Sequence, residues 1–341
     1  MDRDHSIQSY FTILSSDFPE FIRPYLELPL LKRLSGIGLF CGTDWTALYQ
    51  NKFFYSRLDH SIGAALIVWN FTKDKKQTLA ALLHDVSTPA FSHVMDFRNG
   101  DALTQESTED ENKRMIETDD ALRSLLIKDG LKPEEVSDYH IYPIADNDLP
   151  RLASDRLEYM FTTGMIMSDI WNLERISACY NDLAVMTNED GLDEIGFKTE
   201  ALATEYCEKC CETGMIMIRN ENKLALSLLA HLAEIAIQKK YMTEKDIFLK
   251  SEKEIIDLFD RITDEEFALP YRTFRNMTEI TRSQHALPEC YSISLEVKRR
   301  YIDPLCNGVR ISAINSRAKQ CIENVLTFCD SPFASVKYLR R

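Results

Sequence analysis

The sequence has no apolar run approaching about 18 residues, so no stretch of it reads as a membrane-spanning helix. Its opening, MDRDHSIQSYF, is acidic and polar and lacks the apolar centre of a secretory signal. It has no disulfide framework. Nine cysteines, an odd number, are scattered over 341 residues, which reads as free thiols in a reducing cytoplasm. Cys207-x-x-Cys210-Cys211 has no second Cys/His pair at zinc-finger spacing and reads as helix packing. No phosphate-cradling loop is present either, because Gly36, Gly38 and Gly42 lack the G-x-G-x-x-G spacing and a following lysine. Finally there is no basic stripe. A net charge of −14 argues against a duplex nucleic acid partner, and any phosphate must be attracted locally, by a metal and a few Arg and Lys side chains.

The composition, 45% hydrophobic and 28% charged, is that of a globular chain with one large core or a core and a lobe. The densest chemistry lies in residues 56–96, which hold three of the seven histidines, each near a carboxylate: Asp59-His60, His84-Asp85, and His93 with Asp96. Ser56 and Asp59 have capping-box spacing and start a helix that runs to about Phe71, with His60 in its first turn. A polar turn, Thr72–Lys76, precedes a second helix over Gln77–Val86, and Pro89 prevents its continuation. Downstream, Ser154 reads as the N-cap of a helix with Asp155 in its first turn. An adjacent His-Asp pair alone carries little weight, since the two side chains diverge by about 100° on a helix. Two imidazoles and two carboxylates at helix ends can, however, converge on a divalent metal.

Residues 57–63 (RLDHSIG), 81–96 (ALLHDVSTPAFSHVMD), 154–159 (SDRLEY), 28–34 (LPLLKRL) and 297–305 (VKRRYIDPL) together resemble the HD-domain metal-dependent phosphohydrolases. The subgroup they look most like is the deoxynucleoside triphosphate triphosphohydrolases, including the dGTPases. The resemblance spans about residues 25–310, with gaps between the motifs. It implies a mostly α fold, an HD-domain helical bundle with a small β-hairpin and a C-terminal α+β extension. It implies one divalent ion (Mn, Fe, Zn, Ni or Mg are not distinguished) on His60, His84, Asp85 and Asp155. His93, Asp96 and Glu106 are implied as catalytic, and Arg57, Arg156 and Tyr159 as substrate contacts. The expected activity is hydrolysis of a nucleotide, a deoxynucleoside triphosphate first, with triphosphate released by attack at the α-phosphorus. Family habit also allows a homo-oligomer.

The sequence departs from the pattern in two places. Ser87-Thr88 stands where the family has Gly-His, and Gln105-Glu106 where it has His-Glu. Glutamine transfers no proton at neutral pH, which leaves proton delivery to Glu106, Glu109 or His93. It also keeps a second reading open, a catalytically impaired nucleotide- or metal-binding regulatory protein. The remaining chain divides into a core over 1–180 and an extension over 181–341, or forms one continuous domain. A hairpin is expected at Leu183–Thr187 and Glu194–Lys198, turning through Asn188–Gly191. Helical periodicity covers 200–260, with an apolar face from Leu224 to Ile235. Arg219 and Lys223 share a helix face, as phosphate contacts or as surface charges. His140 and His231 read as structural. Tyr291–Val297 alternates like a strand, Lys298-Arg299-Arg300 is the densest basic run, and Ser316–Phe328 reads as a last helix.

Overall fold

The computed structural model describes residues 3–103 and 109–339. Glu106 and Gln105 therefore lie outside the described residues, as does the side chain of Glu109. The helix Arg57–Thr72 opens as its sequence dictates: the Ser56 hydroxyl accepts from the Asp59 N–H, and the Asp59 carboxylate accepts from the Ser56 N–H. It stops where Lys73 turns left-handed, at φ 51°. Asp74 then caps Lys75–Leu83 by accepting from the N–H groups of Lys76 and Gln77. This helix begins and ends earlier than the Gln77–Val86 expected from periodicity. His84 is consequently its C-cap and Asp85 lies beyond it, which frees the two side chains from helical divergence.

The helices Ser154–Ile166 and Arg3–Leu14 pack on Arg57–Thr72. The N-cap of the former is Ala153, not Ser154, whose hydroxyl instead donates to the Ala145 carbonyl at 3.0 Å; Asp155 stays in the first turn. Two long helices, Glu200–Ile218 and Asn220–Gln238, follow. Asn220–Gln238 buries the apolar face read from the sequence against Ala90, Phe91, Val94 and Met95, the segment just after the His-Asp pair.

The fold is mostly α-helical with two small sheets. Leu183–Thr187 and Asp193–Phe197 form the expected hairpin, which Leu305–Cys306 extends in parallel and Val309–Arg310 closes. In the other sheet Phe333–Lys337 runs antiparallel between Thr281–Ser283 and Cys290–Ile293. The expected strand at Tyr291–Val297 is thus shorter and begins one residue earlier, and residues 294–304 belong to no helix or strand. The largest apolar cluster joins Tyr10, Phe161, Tyr206 and Ile322, residues from both halves of the chain. Among the described residues no helix is long and apolar enough to cross a membrane.

One buried carboxylate ties the second half to the first. Glu252, fully buried, accepts from Gly38 N–H at 2.9 Å, Phe91 N–H at 3.2 Å and Trp45 Nε1 at 2.7 Å. Burial pushes its pKa up to about 8, against these donors and with Asp44 adding to the rise. Because the folded value is raised, the stability linked to its protonation is complete below about 4.5 and is lost as pH rises through about 8. Glu252→Ala strands three donors and is expected to cost about 2–4 kcal/mol in urea unfolding. The gap to the wild type should narrow as unfolding is repeated from about pH 5 to about pH 8. A gap that widens with pH overturns this reading.

Candidate metal centre

Three atoms converge where the helices Arg57–Thr72, Lys75–Leu83 and Ser154–Ile166 meet. His60 Nε2 lies 3.2 Å from His84 Nε2 and 3.0 Å from Asp155 Oδ1, and His84 Nε2 lies 3.5 Å from the same oxygen. Asp85 Oδ2 closes a fourth side, 3.6 Å from His84 Nε2 and 3.9 Å from His60 Nε2. The far ring nitrogens are turned outward. His60 Nδ1 is hydrogen-bonded to the fully buried Glu158 carboxylate, and His84 Nδ1 lies 2.7 Å from the Ala81 carbonyl. With Nδ1 donating in both rings, both Nε2 lone pairs face the same point.

The electrostatics suit a cation. Burial alone would lower His60, but Glu158 and Asp155 outweigh it and raise its pKa to about 10. His84 is raised against its burial by Asp85 and Asp155. Burial would raise Asp155, yet its bonds to both imidazoles hold it well below the usual carboxylate range, and Arg57 with the imidazoles does the same for Asp85. These groups compete for positive charge, and two imidazoles with two carboxylates is a donor set that fits a divalent ion. His60, His84 and Asp155 are the one such group among the described residues. Cys207, Cys210 and Cys211 are buried free thiols, in keeping with packing.

The surrounding residues hold these groups in place. Asp85 accepts from Arg57 Nη1 at 2.9 Å and from Thr88 Oγ1 at 2.8 Å. Thr88, the departure from the family pattern, therefore braces Asp85. Arg57 Nε also donates to Ser92 Oγ at 3.1 Å. Arg33 Nη2 donates to the Val86 and Thr88 carbonyls at 2.9 and 2.8 Å, fixing the loop that carries Asp85. Glu158 was missed as a site residue, although its spacing three after Asp155 puts both on one helix face. Its partners are His60 and Tyr55, whose hydroxyl donates at 2.6 Å.

A cavity of about 750 Å³ opens onto this centre. Arg57, His93, Asp96, Arg156 and Tyr159 line it together with His60, His84, Asp85 and Asp155. His93 Nδ1 lies 2.9 Å from Asp96 Oδ2, and burial pushes its pKa down. Burial likewise pushes the Tyr159 phenol up to about 12. Arg156 is on the wall, but its guanidinium is engaged with Asp146 at 3.1 Å, with Asn147 and with the Arg151 carbonyl at 2.9 Å. His140, read from the sequence as structural, is on the wall too, beside Tyr139, whose ring packs 5.1 Å from that of His84. Lys298 and Arg300 reach the wall from the second half, whereas Arg219 and Lys223 do not.

No family model matches the chain. The uncharacterized protein YdhJ of Bacillus subtilis is 25% identical over 227 residues, 64% of this chain and 65% of its own length. A metal-dependent phosphohydrolase, cns2 of Cordyceps militaris, is 31% identical over 104 residues, 30% of each chain. The chain thus matches less than two thirds of the length of either relative. A solved phosphohydrolase from Bacteroides thetaiotaomicron aligns with TM-score 0.56 at 13% identity, covering 95% of this chain and 97% of its own. A hypothetical protein from Aquifex aeolicus aligns with TM-score 0.58 at 14% identity, covering 91% and 90%. These likenesses show a shared fold, the helical bundle with a small β extension that the motifs imply.

Gly63 offers a test of the support around His60. A Cβ there would lie 2.8 Å from Glu158 Cγ and Oε1, so Gly63→Ala must push Glu158 away. Metal affinity, measured by competition with a chelating dye, should fall about 10–100-fold, the usual cost of disturbing such a supporting bond. His84→Ala should abolish stoichiometric metal by elemental analysis.

Proposed function

We propose that this chain is an HD-type metal-dependent phosphohydrolase acting on a nucleotide, a deoxynucleoside triphosphate in the first instance, with release of triphosphate. The observation that carries it is the convergence of His60, His84 and Asp155, with Asp85 beside them, at the floor of a cavity of nucleotide size. The phosphohydrolase names of the Cordyceps relative and the Bacteroides structure support it, as do the motifs.

His60, His84, Asp85 and Asp155 would hold the ion. Bound there, a divalent ion supplies positive charge to the phosphoryl oxygens and acidifies water. Arg57, whose guanidinium lies against Asp85 and Ser92, keeps that carboxylate ionised and aimed inward and adds positive charge to the floor. Asp96 takes the Nδ1 proton of His93 as hydrogen-bond partner, so the other ring nitrogen presents its lone pair. With its pKa lowered by burial, His93 is neutral near pH 7 and accepts a proton from the attacking water at Nε2. Tyr159, kept protonated, is a hydroxyl donor on the same wall.

A regulatory, binding-only protein is the second reading. It is favoured by Thr88, whose hydroxyl is bound to Asp85 where the family pattern has a histidine.

Purified protein with Mn²⁺ is expected to release triphosphate, pyrophosphate or phosphate from at least one member of a nucleotide panel, with turnover lost in Asp85→Ala. His93→Ala should lower kcat by about 10²–10⁴ while metal content stays stoichiometric. Measurable nucleotide binding with no turnover of any member selects the second reading.

A further inference from the structure

His140 stands on the cavity wall with 49% of its side chain exposed, and no motif assigns it a task. It lies in the short turn Tyr139–Ile141, which Asp138 opens by accepting from the His140 N–H at 3.1 Å. The same Asp138 oxygen is 3.1 Å from His140 Nδ1, so one carboxylate holds both the backbone and the ring. On the other edge of the ring, Nε2 lies 3.4 Å from Asp146 Oδ2.

This placement is tied to the metal centre from two directions. The Tyr139 ring packs against both histidines, its centroid 4.3 Å from that of His140 and 5.1 Å from that of His84. Asp146 Oδ1 is 3.1 Å from Arg156 Nη1, and Arg156 follows Asp155 in the first turn of the helix Ser154–Ile166. His93 has other neighbours, Asp96 at 2.9 Å and the charges of Arg57 and Arg300. The two histidines share none of these partners and occupy different stretches of the wall.

Stability does not account for the arrangement, because ion pairs this exposed are worth only about 0–1 kcal/mol. A metal does not account for it either: the carboxylates flank opposite ring nitrogens and meet at no common point. Two acceptors on opposite nitrogens suit an imidazole carrying a proton on each. The Nε2 proton is the more loosely held, since 3.4 Å exceeds the usual hydrogen-bond length. Phosphoester hydrolysis has a use for it. An ester oxygen leaving phosphorus needs a proton, and His93 is already assigned as the base. The attacking and leaving oxygens lie roughly in line across phosphorus, so acid and base must come from separate positions.

We propose that His140 is the general acid of this site, donating its Nε2 proton to the oxygen that leaves phosphorus. This rests on the hydrolase reading of the metal centre. As water attacks, its proton passes to His93; the bond from phosphorus to the leaving oxygen breaks, and that oxygen takes the proton of His140. The neutral ring keeps its Nδ1 proton on Asp138, and exchange with bulk water restores both histidines.

The test uses the full chain with Mn²⁺ and two substrates that differ in their leaving group. A deoxynucleoside triphosphate that releases triphosphate loses its 5′ oxygen, which needs a proton. Bis(p-nitrophenyl) phosphate loses nitrophenolate, which needs none. His140→Gln should lower kcat on the triphosphate about 10²–10⁴-fold. Turnover of the nitrophenyl ester and stoichiometric metal content should stay unchanged, which also shows that the variant folds. An equal loss on both substrates, a loss carried by KM alone, or no loss on the triphosphate overturns the assignment and leaves the hydrolase reading standing. Wild-type release of pyrophosphate in place of triphosphate, or turnover of the ester alone, overturns it too, since no alkoxide then departs. A wild type that hydrolyses neither substrate ends the hydrolase reading, and the acid with it.

Discussion

Charge without water is the constraint around which this molecule is arranged. His60 and Glu158 are fully buried, and Asp85 and His84 nearly so, inside a bundle whose other contacts are apolar. Ionised groups in such surroundings persist only with partners of opposite sign and with their remaining hydrogen-bonding capacity satisfied. The outward bonds do this: Glu158 takes His60 Nδ1 and the Tyr55 hydroxyl, Ala81 takes His84 Nδ1, and Arg57 with Thr88 takes Asp85. The inward atoms are left facing one another, two lone-pair nitrogens and two carboxylates. Such an arrangement is satisfied by protons or by a metal cation, and the binding of one releases the other.

That arrangement reaches into backbone geometry. Glu158 approaches His60 only because Gly63 leaves no side chain between the helices Arg57–Thr72 and Ser154–Ile166. On the opposite side, Phe91 and Ser92 are both left-handed, at φ 65° and 52°, a conformation that non-glycine residues adopt at some cost. Glu252 accepts from the Phe91 N–H, and Ser92 Oγ donates to the Gly38 carbonyl at 3.2 Å while accepting from Arg57. A carboxylate 161 residues after Phe91 thereby fixes the turn that presents His93, and the second half of the chain is part of the site's support.

The residues whose side chains converge were legible because their spacing is local: the Ser56–Asp59 capping box, the His-Asp pair at a helix end, and an acid in a helical first turn. The resemblance gave their grouping. Helix ends were less legible. Ala153 rather than Ser154 is the N-cap because the Ser154 hydroxyl finds the Ala145 carbonyl, a contact made by a loop that periodicity does not describe. Arg156 could be assigned to the cavity, but not its engagement with Asp146 and Asn147, which depends on how that same loop folds. His140 read as structural because its acid neighbour in sequence, Asp138, says nothing about the packing of Tyr139 on His84. Lys298 and Arg300 read only as part of a basic run, since their place on the cavity wall depends on tertiary packing such as the close approach of the Arg300 carbonyl to Gly214.

The missing proton donors bear on which bond such a site breaks. Thr88 is committed to Asp85, and burial pushes His93 toward its neutral form, so among the site residues named above Tyr159, kept protonated, is the hydroxyl donor on this wall. A phosphomonoester expels an alkoxide or ribose oxygen, a poor leaving group that benefits strongly from protonation. The triphosphate release proposed above, by attack at the α-phosphorus, likewise expels the nucleoside 5′ oxygen and has the same need of a proton, whereas release of pyrophosphate would expel an oxygen whose charge is spread over phosphates. The two departures from the family pattern, at Thr88 and Gln105, therefore bear on protonation of the leaving oxygen rather than on the convergence of His60, His84, Asp85 and Asp155, and binding without turnover rests on the same absence.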